Sequence, residues 1–593
     1  KKLRYLFYLV PAEMLWVNIH SSFILGIFIA GAYACGSCID DMRQGGFKGN
    51  VSSGTLRFAA VTAFIGLATF INPYGYKLAF FPLVHMGGEN AEALRYIGEW
   101  KPVKFNELFF YLYPRPLDYL AFKVFVFGAV FALILNRRAL KTRDLLLTGG
   151  ALYLAVSHVR WIAMFAYFSA PIIVWNISHW LDERHGRGVY LRRLCVLTLV
   201  LLVAALSYDY ARLRGRDIYG IGIKAGHFPE GTVAFMKKYG VKGNMFNEYV
   251  FGGYLIYNYP ESKVFIDGRT PTVYSPYFFW QSRMADRESL WKKLTDDYSV
   301  TVALVSSMHG LCGKLGKNPE WSAVSFDDVS VLFLKDVSEN KPIISSHAIR
   351  ETDPCSSDKY AIPSDKEKLK AMRHELKALD WSVISSARPH FLMGAVSTGL
   401  GGEYLEEAVK EYSTALSIID DKRTRYDMGI ALLKLKRYRH ALDQFEKGLK
   451  MDKGFISANY GIGLSYYYLG NYEKSKGFLE KYIEAEGDKS EDLSYRFLGR
   501  SCFELKDFEC AERYLKRAGF LTTEPKELAD IYYRIGSSLI ELDRESEGLN
   551  LYRTALSLEP EYKKVLASVA DEFFKKGDLA LAKAVRDIIS DKN

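Results

Sequence analysis

The sequence predicts a chain of three unlike parts: an α-helical transmembrane bundle, a small α/β domain and an all-α solenoid of repeated helical hairpins. Three observations predict it. Residues 1–210 hold apolar runs too long for a water-soluble core. Helix-like and strand-like patterns alternate between 227 and 336. From about residue 389, small residues return with a period near 34. The boundaries drawn are 1–210, 211–336, a linker with one helix over 337–388, and repeats over 389–593.

The totals narrow the function. A net charge of +10 over 593 residues invites a nucleic-acid reading. The basic residues are dispersed, with short clusters beside apolar runs, which fits membrane orientation and excludes nucleic acid as a partner. The 40 tyrosines suit interfacial belts. Of the seven cysteines, Cys35 and Cys38 alone have CxxC spacing, inside an apolar run, and none has zinc spacing, so all are read as structural or incidental, with no metal site. No cofactor is evident. A divalent metal enters only if a segment ahead of Lys1 supplies acidic ligands, since the opening Lys1-Lys2-Leu3-Arg4 reads as the inside of a longer protein.

Candidate spans cover roughly 3–19, 21–38, 57–72, 117–136, 144–158, 160–180 and 193–210. Charge settles the ambiguous run over 144–180. Arg137, Arg138, Lys141 and Arg143 precede it, and Arg184, Arg187, Arg192 and Arg193 follow it. Both ends therefore belong inside, which two crossings satisfy and one does not. A turn at Ser157-His158-Val159-Arg160 also spares an arginine at mid-bilayer, worth about 2.5–3.5 kcal/mol. Seven crossings from a cytoplasmic start place residues after about 210 outside a bacterial inner membrane. That orientation gathers Trp16, Asn18 and His20, the turn Asn72-Pro73-Tyr74-Gly75, Glu99 and Trp100, and His158 and Arg160 on one face. Polar groups at membrane level mark a pathway or site, or else interfacial anchors.

In the middle part, a helix through Tyr239 precedes a strand at Asn244-Met245-Phe246, and a buried-type strand covers Lys263 to Ile266. Another strand spans Val300 to Ser306, and Trp321 to Leu334 reads as a hairpin turning at Asp327-Asp328. The sheet is expected to be mostly parallel, with Asn247, Asp267 and Arg269 at strand C-terminal ends, where such sheets bind ligands. Asp267-Gly268-Arg269 reads equally well as a turn whose Asp caps backbone and whose Arg pairs with it. Gly252-Gly253 has neither dinucleotide nor P-loop spacing, so nucleotide binding is not supported.

Phe246-Asn247-Glu248-Tyr249-Val250-Phe251-Gly252-Gly253-Tyr254-Leu255 followed by Val264-Phe265-Ile266-Asp267-Gly268-Arg269 resembles a family of large bacterial polytopic membrane proteins. So do Trp16-Val17-Asn18-Ile19-His20, Asn72 to Gly75 and His158-Val159-Arg160. Those proteins are similar to the GT-C superfamily of membrane glycosyltransferases, over about residues 3–336. The resemblance implies a polyprenyl-phosphate sugar as ligand, handled outside the cytoplasm. His20-Ser21-Ser22 departs from the family's His-Gly-Gly. No segment ahead of Trp16 matches the loop that carries the superfamily's catalytic acid, so the catalytic residue stays unknown. The candidate phosphate or sugar ligands are His20, His158, Arg160, Asn247, Asp267 and Arg269.

The repeat is the clearest pattern. Gly394, Gly429, Gly463, Gly499, Gly536 and Ala570 mark one helix of each unit, and Ala408, Ala441, Ser475, Ala511, Gly548 and Ala582 its partner. Ala415, Gly448, Ala518 and Ala555 form a third small site, and Pro560 ends a helix. Period and pattern resemble tetratricopeptide repeats, about six of them, which implies a surface for a protein or peptide. The combined expectation is a glycosyltransferase-like membrane protein with a protein-binding arm. The alternative is a non-catalytic, membrane-anchored scaffold for an envelope complex.

Overall fold

The computed structural model describes residues 2–45, 51–85, 97–103, 117–185, 224–269, 273–355, 362–383, 385–487 and 492–590, with single positions at 193, 197, 200 and 204. The fold is mostly helical, with one small mixed sheet and a helical solenoid at the C-terminal end. By packing it divides into two units, residues 1–223 with 266–290, and residues 224–265 with 291–593.

In the first unit the apolar runs become α1 (Leu9–Ile19), α2 (Ile24–Gly45), α3 (Ser53–Ala68), α4 (Tyr76–His85), α5 (Leu117–Leu135), α6 (Thr142–Ser157) and α7 (Ile162–His185). Ser52 starts α3 by accepting from the Thr55 amide. The run over 144–180 breaks at His158, whose φ of −150° and ψ of 127° are extended, so two helices form there as expected. Helix α4, with Pro82 inside it, falls between the spans expected over 57–72 and 117–136. Among the described residues, Ser21–Gly45 and Val159–Leu181 have the length and apolarity of a membrane crossing, and three further apolar helices are shorter. The span placed over 193–210 lies almost wholly outside the described residues. Polar links join the helices: Asn136 Nδ2 donates to Asn176 Oδ1 at 2.8 Å, and Asn176 Nδ2 to Asp144 Oδ2 at 3.0 Å. Such bonds fix the helices against one another, because a buried polar group left unpaired is costly.

The second unit begins with α8 (Glu230–Tyr239), β1 (Asn244–Asn247) and α9 (Tyr249–Asn258). Helix α10 (Pro276–Arg283) belongs to the first unit, and α11 (Glu288–Asp297) leads back. Then come β2 (Val300–Ser306), α12 (Gly310–Leu315), β3 (Trp321–Phe326), β4 (Ser330–Lys335), α13 (Lys341–His347) and α14 (Lys366–Ala378). The sheet order is β1-β2-β4-β3, with β1 parallel to β2 and the other two pairs antiparallel. This corrects the mostly parallel expectation. The hairpin at Asp327-Asp328 forms as predicted, but its second strand docks on β2 and reverses the ladder there. The strand expected at 263–266 is also absent from the sheet. Phe265 gives its amide to the Asn247 side chain at 2.7 Å instead of entering a backbone ladder. Met245, Phe251, Leu255, Val302, Leu304 and Leu332 form the core.

The solenoid is six helical hairpins. Their pairs are α15 (Ala387–Leu400) with α16 (Leu405–Ile418), α17 (Lys422–Lys434) with α18 (Tyr438–Met451), and α19 (Ser457–Tyr468) with α20 (Tyr472–Glu486). After them come α21 (Asp492–Glu504) with α22 (Phe508–Leu521), α23 (Pro525–Glu541) with α24 (Glu545–Leu558), and α25 (Tyr562–Lys576) with α26 (Leu579–Ser590). Every predicted small position is buried at a crossing. A Cβ on Gly499 would sit 2.6 Å from Leu515 Cγ, and one on Gly536 would sit 2.9 Å from the Gly548 carbonyl oxygen. The turns between paired helices need a left-handed residue. Gly470 and Gly577 supply it cheaply, while Lys436, Lys506 and Asp543 adopt φ near 60° despite their side chains.

Two outcomes test this register. Ala441 is fully buried, so Ala441→Leu is expected to overpack the crossing and cost about 1–3 kcal/mol. Lys506→Gly is expected to raise the melting temperature, because relieving a left-handed side chain gains about 1 kcal/mol and outweighs the added freedom of the unfolded chain. Thermal unfolding of the full chain reads both.

Candidate functional site

First helices pack on the first helices of neighbouring hairpins as well as on their own partners, through α15, α17, α19, α21 and α23. They thereby make one continuous face. Tyr438 and Tyr468 stack with centroids 4.8 Å apart, and Tyr468 and Tyr467 lie 5.6 and 5.0 Å from Phe497. Tyr468 remains 45% exposed, so this cluster presents an open aromatic edge.

Beside it lies an ion network. Asp530 takes Arg500 at 2.6 Å and Arg534 at 3.1 Å, and the Tyr562 hydroxyl donates to it at 3.3 Å. Arg534 also holds Glu504 at 2.9 Å, and Arg496 pairs with Glu527. Burial works to raise the Asp530 pKa, but Arg534 and Arg500 overcome it and leave the carboxyl below its usual range. Guanidinium planes lie over aromatic rings here, Arg534 at 5.1 Å from Phe503 and Arg500 at 5.5 Å from Phe497. Phenols, aromatic edges and paired guanidinium groups thus lie together along these helices.

Residues 456–489 and 529–562 match the family profile described as tetratricopeptide repeat, which are the third and fifth hairpins. The C-terminal arm is built of tetratricopeptide repeats. Among curated proteins, "Tetratricopeptide repeat protein 8" of Caenorhabditis elegans is 23% identical over 185 residues, 30% of this chain and 35% of the relative. The chain thus spans about a third of the length of that relative. Among solved structures, YrrB, described as a TPR protein with an unusual peptide-binding site, is 17% identical, with a TM-score of 0.27 over 38% of this chain and all of YrrB. MamA from Desulfovibrio magneticus RS-1 is 22% identical, with a TM-score of 0.24 over 27% of this chain and 88% of MamA. A tetratricopeptide array needs no cofactor to fold or to present this face.

The residues singled out from sequence fall into separate settings. His158 and Arg160 meet Glu99 and Trp100. Arg160 pairs with Glu99 at 3.5 Å and lies 4.5 Å over Trp100, and the His158 ring is 5.2 Å from Trp100. Backbone bonds Val159 to Lys101 and Val103 to Val156 fix this corner. His20 serves its own turn, its Nδ1 accepting the Ser22 amide at 3.0 Å, while Asn18 donates to the Ile71 carbonyl at 2.9 Å. Asn247 is fully buried and braces Phe265. Asp267 accepts two side-chain bonds from Arg269, at 2.8 and 2.6 Å, the Arg269 amide at 2.9 Å and the Tyr274 hydroxyl at 2.7 Å. This is the arrangement of a braced turn.

Sequence reasoning missed the arginine network, although arginines recurring on first helices at 496, 500 and 534 were a signal. It also foresaw no pairing of the cysteines. Cys312 bonds to Cys355 and Cys502 to Cys510, while Cys35 and Cys38 are free. Cys502, Asp507 and Cys510 bring ligand atoms within 4.8 Å of one another. Their sulfurs are joined, and Asp507 holds Lys476 at 2.7 Å and the Cys510 amide at 3.2 Å, so this cluster closes a helical turn.

The Arg269 hydrogen bonds hold the Asp267 carboxyl at about 2, against burial. A depressed carboxyl contributes stability above its unfolded pKa of about 3.9 and loses it as pH falls toward 2. Arg269 is largely in water, which screens the pair. Asp267→Asn is therefore expected to cost about 1–2 kcal/mol at pH 7, the gap to the parent closing between about pH 4 and pH 2. Urea unfolding across that range measures it.

Proposed function

We propose that the chain is a membrane-anchored scaffold whose tetratricopeptide arm binds a protein or peptide segment along its first-helix face. One observation carries this reading: the first helices form one continuous face that presents Tyr467 and Tyr468 of α19 beside the Arg496, Arg500 and Arg534 network, with Tyr438 at the start of α18 stacked on Tyr468. Sugar transfer ranks below it. That reading needs cations free for a phosphate, whereas Arg160 sits beside Glu99 and Arg269 is held by Asp267.

The apolar N-terminal helices are the proposed anchor, in a bacterial inner membrane, with residues after about 210 on the outer side. The two disulfides support that side, because such bonds persist in oxidising compartments and are rare in the cytosol. An impermeant thiol reagent on intact cells is expected to label a cysteine introduced at Lys317 and to spare one at Lys141. The opposite result overturns the orientation.

A photo-crosslinking residue at Tyr467 is expected to capture one discrete adduct in cells, and the same residue at Lys447, on a second helix, to capture none. Tyr468→Ala should weaken that adduct about tenfold with little change in melting temperature. Equal capture from both positions would remove the first-helix face from consideration.

A further inference from the structure

Helices α1, α2 and α3 line a partly open cleft of about 430 Å³ walled by Leu9, Trp16, Ile29, Tyr33, Phe58 and Val61, among others. One ionisable group enters it. Glu13 is 3% exposed, and its Oε1 is buried with no hydrogen-bond partner among the described residues. Gly26 makes the room for it, since a Cβ there would lie 2.2 Å from Glu13 Oε2. A carboxyl left unbonded in an apolar setting costs more than an apolar side chain of the same volume. In an apolar helical bundle such a group marks a ligand or an ion path. The ligand-sized cleft beside it favours the ligand, since small-molecule sites run from about 300 to 1,000 Å³ with few polar groups.

We propose that this cavity binds one amphiphile, an apolar body ending in a single hydrogen-bond donor, ammonium or hydroxyl, that docks on the Glu13 carboxyl. The chemistry of the walls selects it. Every wall apart from Glu13 is apolar, aromatic or glycine, so the body of the ligand meets hydrocarbon and rings. The one carboxyl offers its unpartnered Oε1 as the acceptor for one donor. This inference is independent of the protein-binding reading.

Trp16 in the wall gives a local readout. The full chain in phosphatidylcholine nanodiscs is titrated with a bromoalkylamine, a bromoalkanol of equal length and the headless bromoalkane, and quenching is taken as the difference between parent and Trp16→Phe. Saturable quenching is expected for a probe with a donor head, with the headless chain about tenfold weaker. Ala12→Leu, which narrows the cavity, and Glu13→Leu, which removes the acceptor and keeps an apolar filling, are each expected to weaken it about tenfold. Should Ala12→Leu fail to fold, Glu13→Leu carries the test. Binding of the amine alone assigns an ammonium ligand, and binding of the alcohol alone a hydroxyl. Equal quenching by the headless chain, absence of saturation, or parent-like binding in Glu13→Leu overturns the proposal.

Discussion

The arm depends on how closely two helices can approach when no side chain stands between them. Each hairpin crosses at a glycine or alanine facing another small residue, and a large residue one turn along the second helix then fills the opening. Tyr412, Phe445, Leu479, Leu515 and Tyr552 occupy that position, each pressed against the glycine of its own hairpin. The contact is short-range and steep, so it fixes the rotation of each helix. That rotation decides which side chains turn inward and which form the first-helix face. The tyrosines and arginines are presented together because the glycines beneath them set the angle.

Such a constraint is legible in sequence, since it needs a residue type at a fixed interval. The six hairpins, their crossings and the stop at Pro560 could be read from Gly429, Ala441 and their counterparts alone. The β3–β4 hairpin was legible for the same kind of reason, through the local turn chemistry of Asp327-Asp328. Which strand its second arm would pair with was not, because that choice is made by packing between distant segments. Lys263 to Ile266 has a strand's composition yet forms no ladder, because the neighbouring Asn247 side chain takes the Phe265 amide. The disulfides escaped notice for a similar reason. Cys312 and Cys355 are 43 residues apart, and nothing local announces that their Cα atoms come within 5.4 Å.

The site residues divide along the same line. The meeting of His158 and Arg160 with Glu99 and Trp100 followed from charge and turn placement, which set the ends of helices. The roles of Asn247 and Asp267 turned on single hydrogen bonds that composition does not reveal. Glu13 could have been noticed, as a lone acid inside an apolar run. It passed because the run was judged by its average rather than by its exception.

Two adjacent carboxylates at the hairpin turn each cap a helix, and the second ties the sheet to the arm. Asp327, buried and with its pKa raised by that burial, accepts the Thr232 amide at 3.1 Å in the first turn of α8. Asp328 accepts the Ala387 and Arg388 amides at 3.0 and 2.8 Å, where α15 begins. Negative charge at the start of a helix satisfies its open amides and opposes its dipole. The order of synthesis gives this a temporal meaning. Asp328 leaves the ribosome some sixty residues ahead of α15, on a hairpin that closes locally and fast. The first repeat then emerges toward a cap already in place, and each later hairpin meets a finished neighbour. The array is templated from its N-terminal end, growing in the direction in which it is translated.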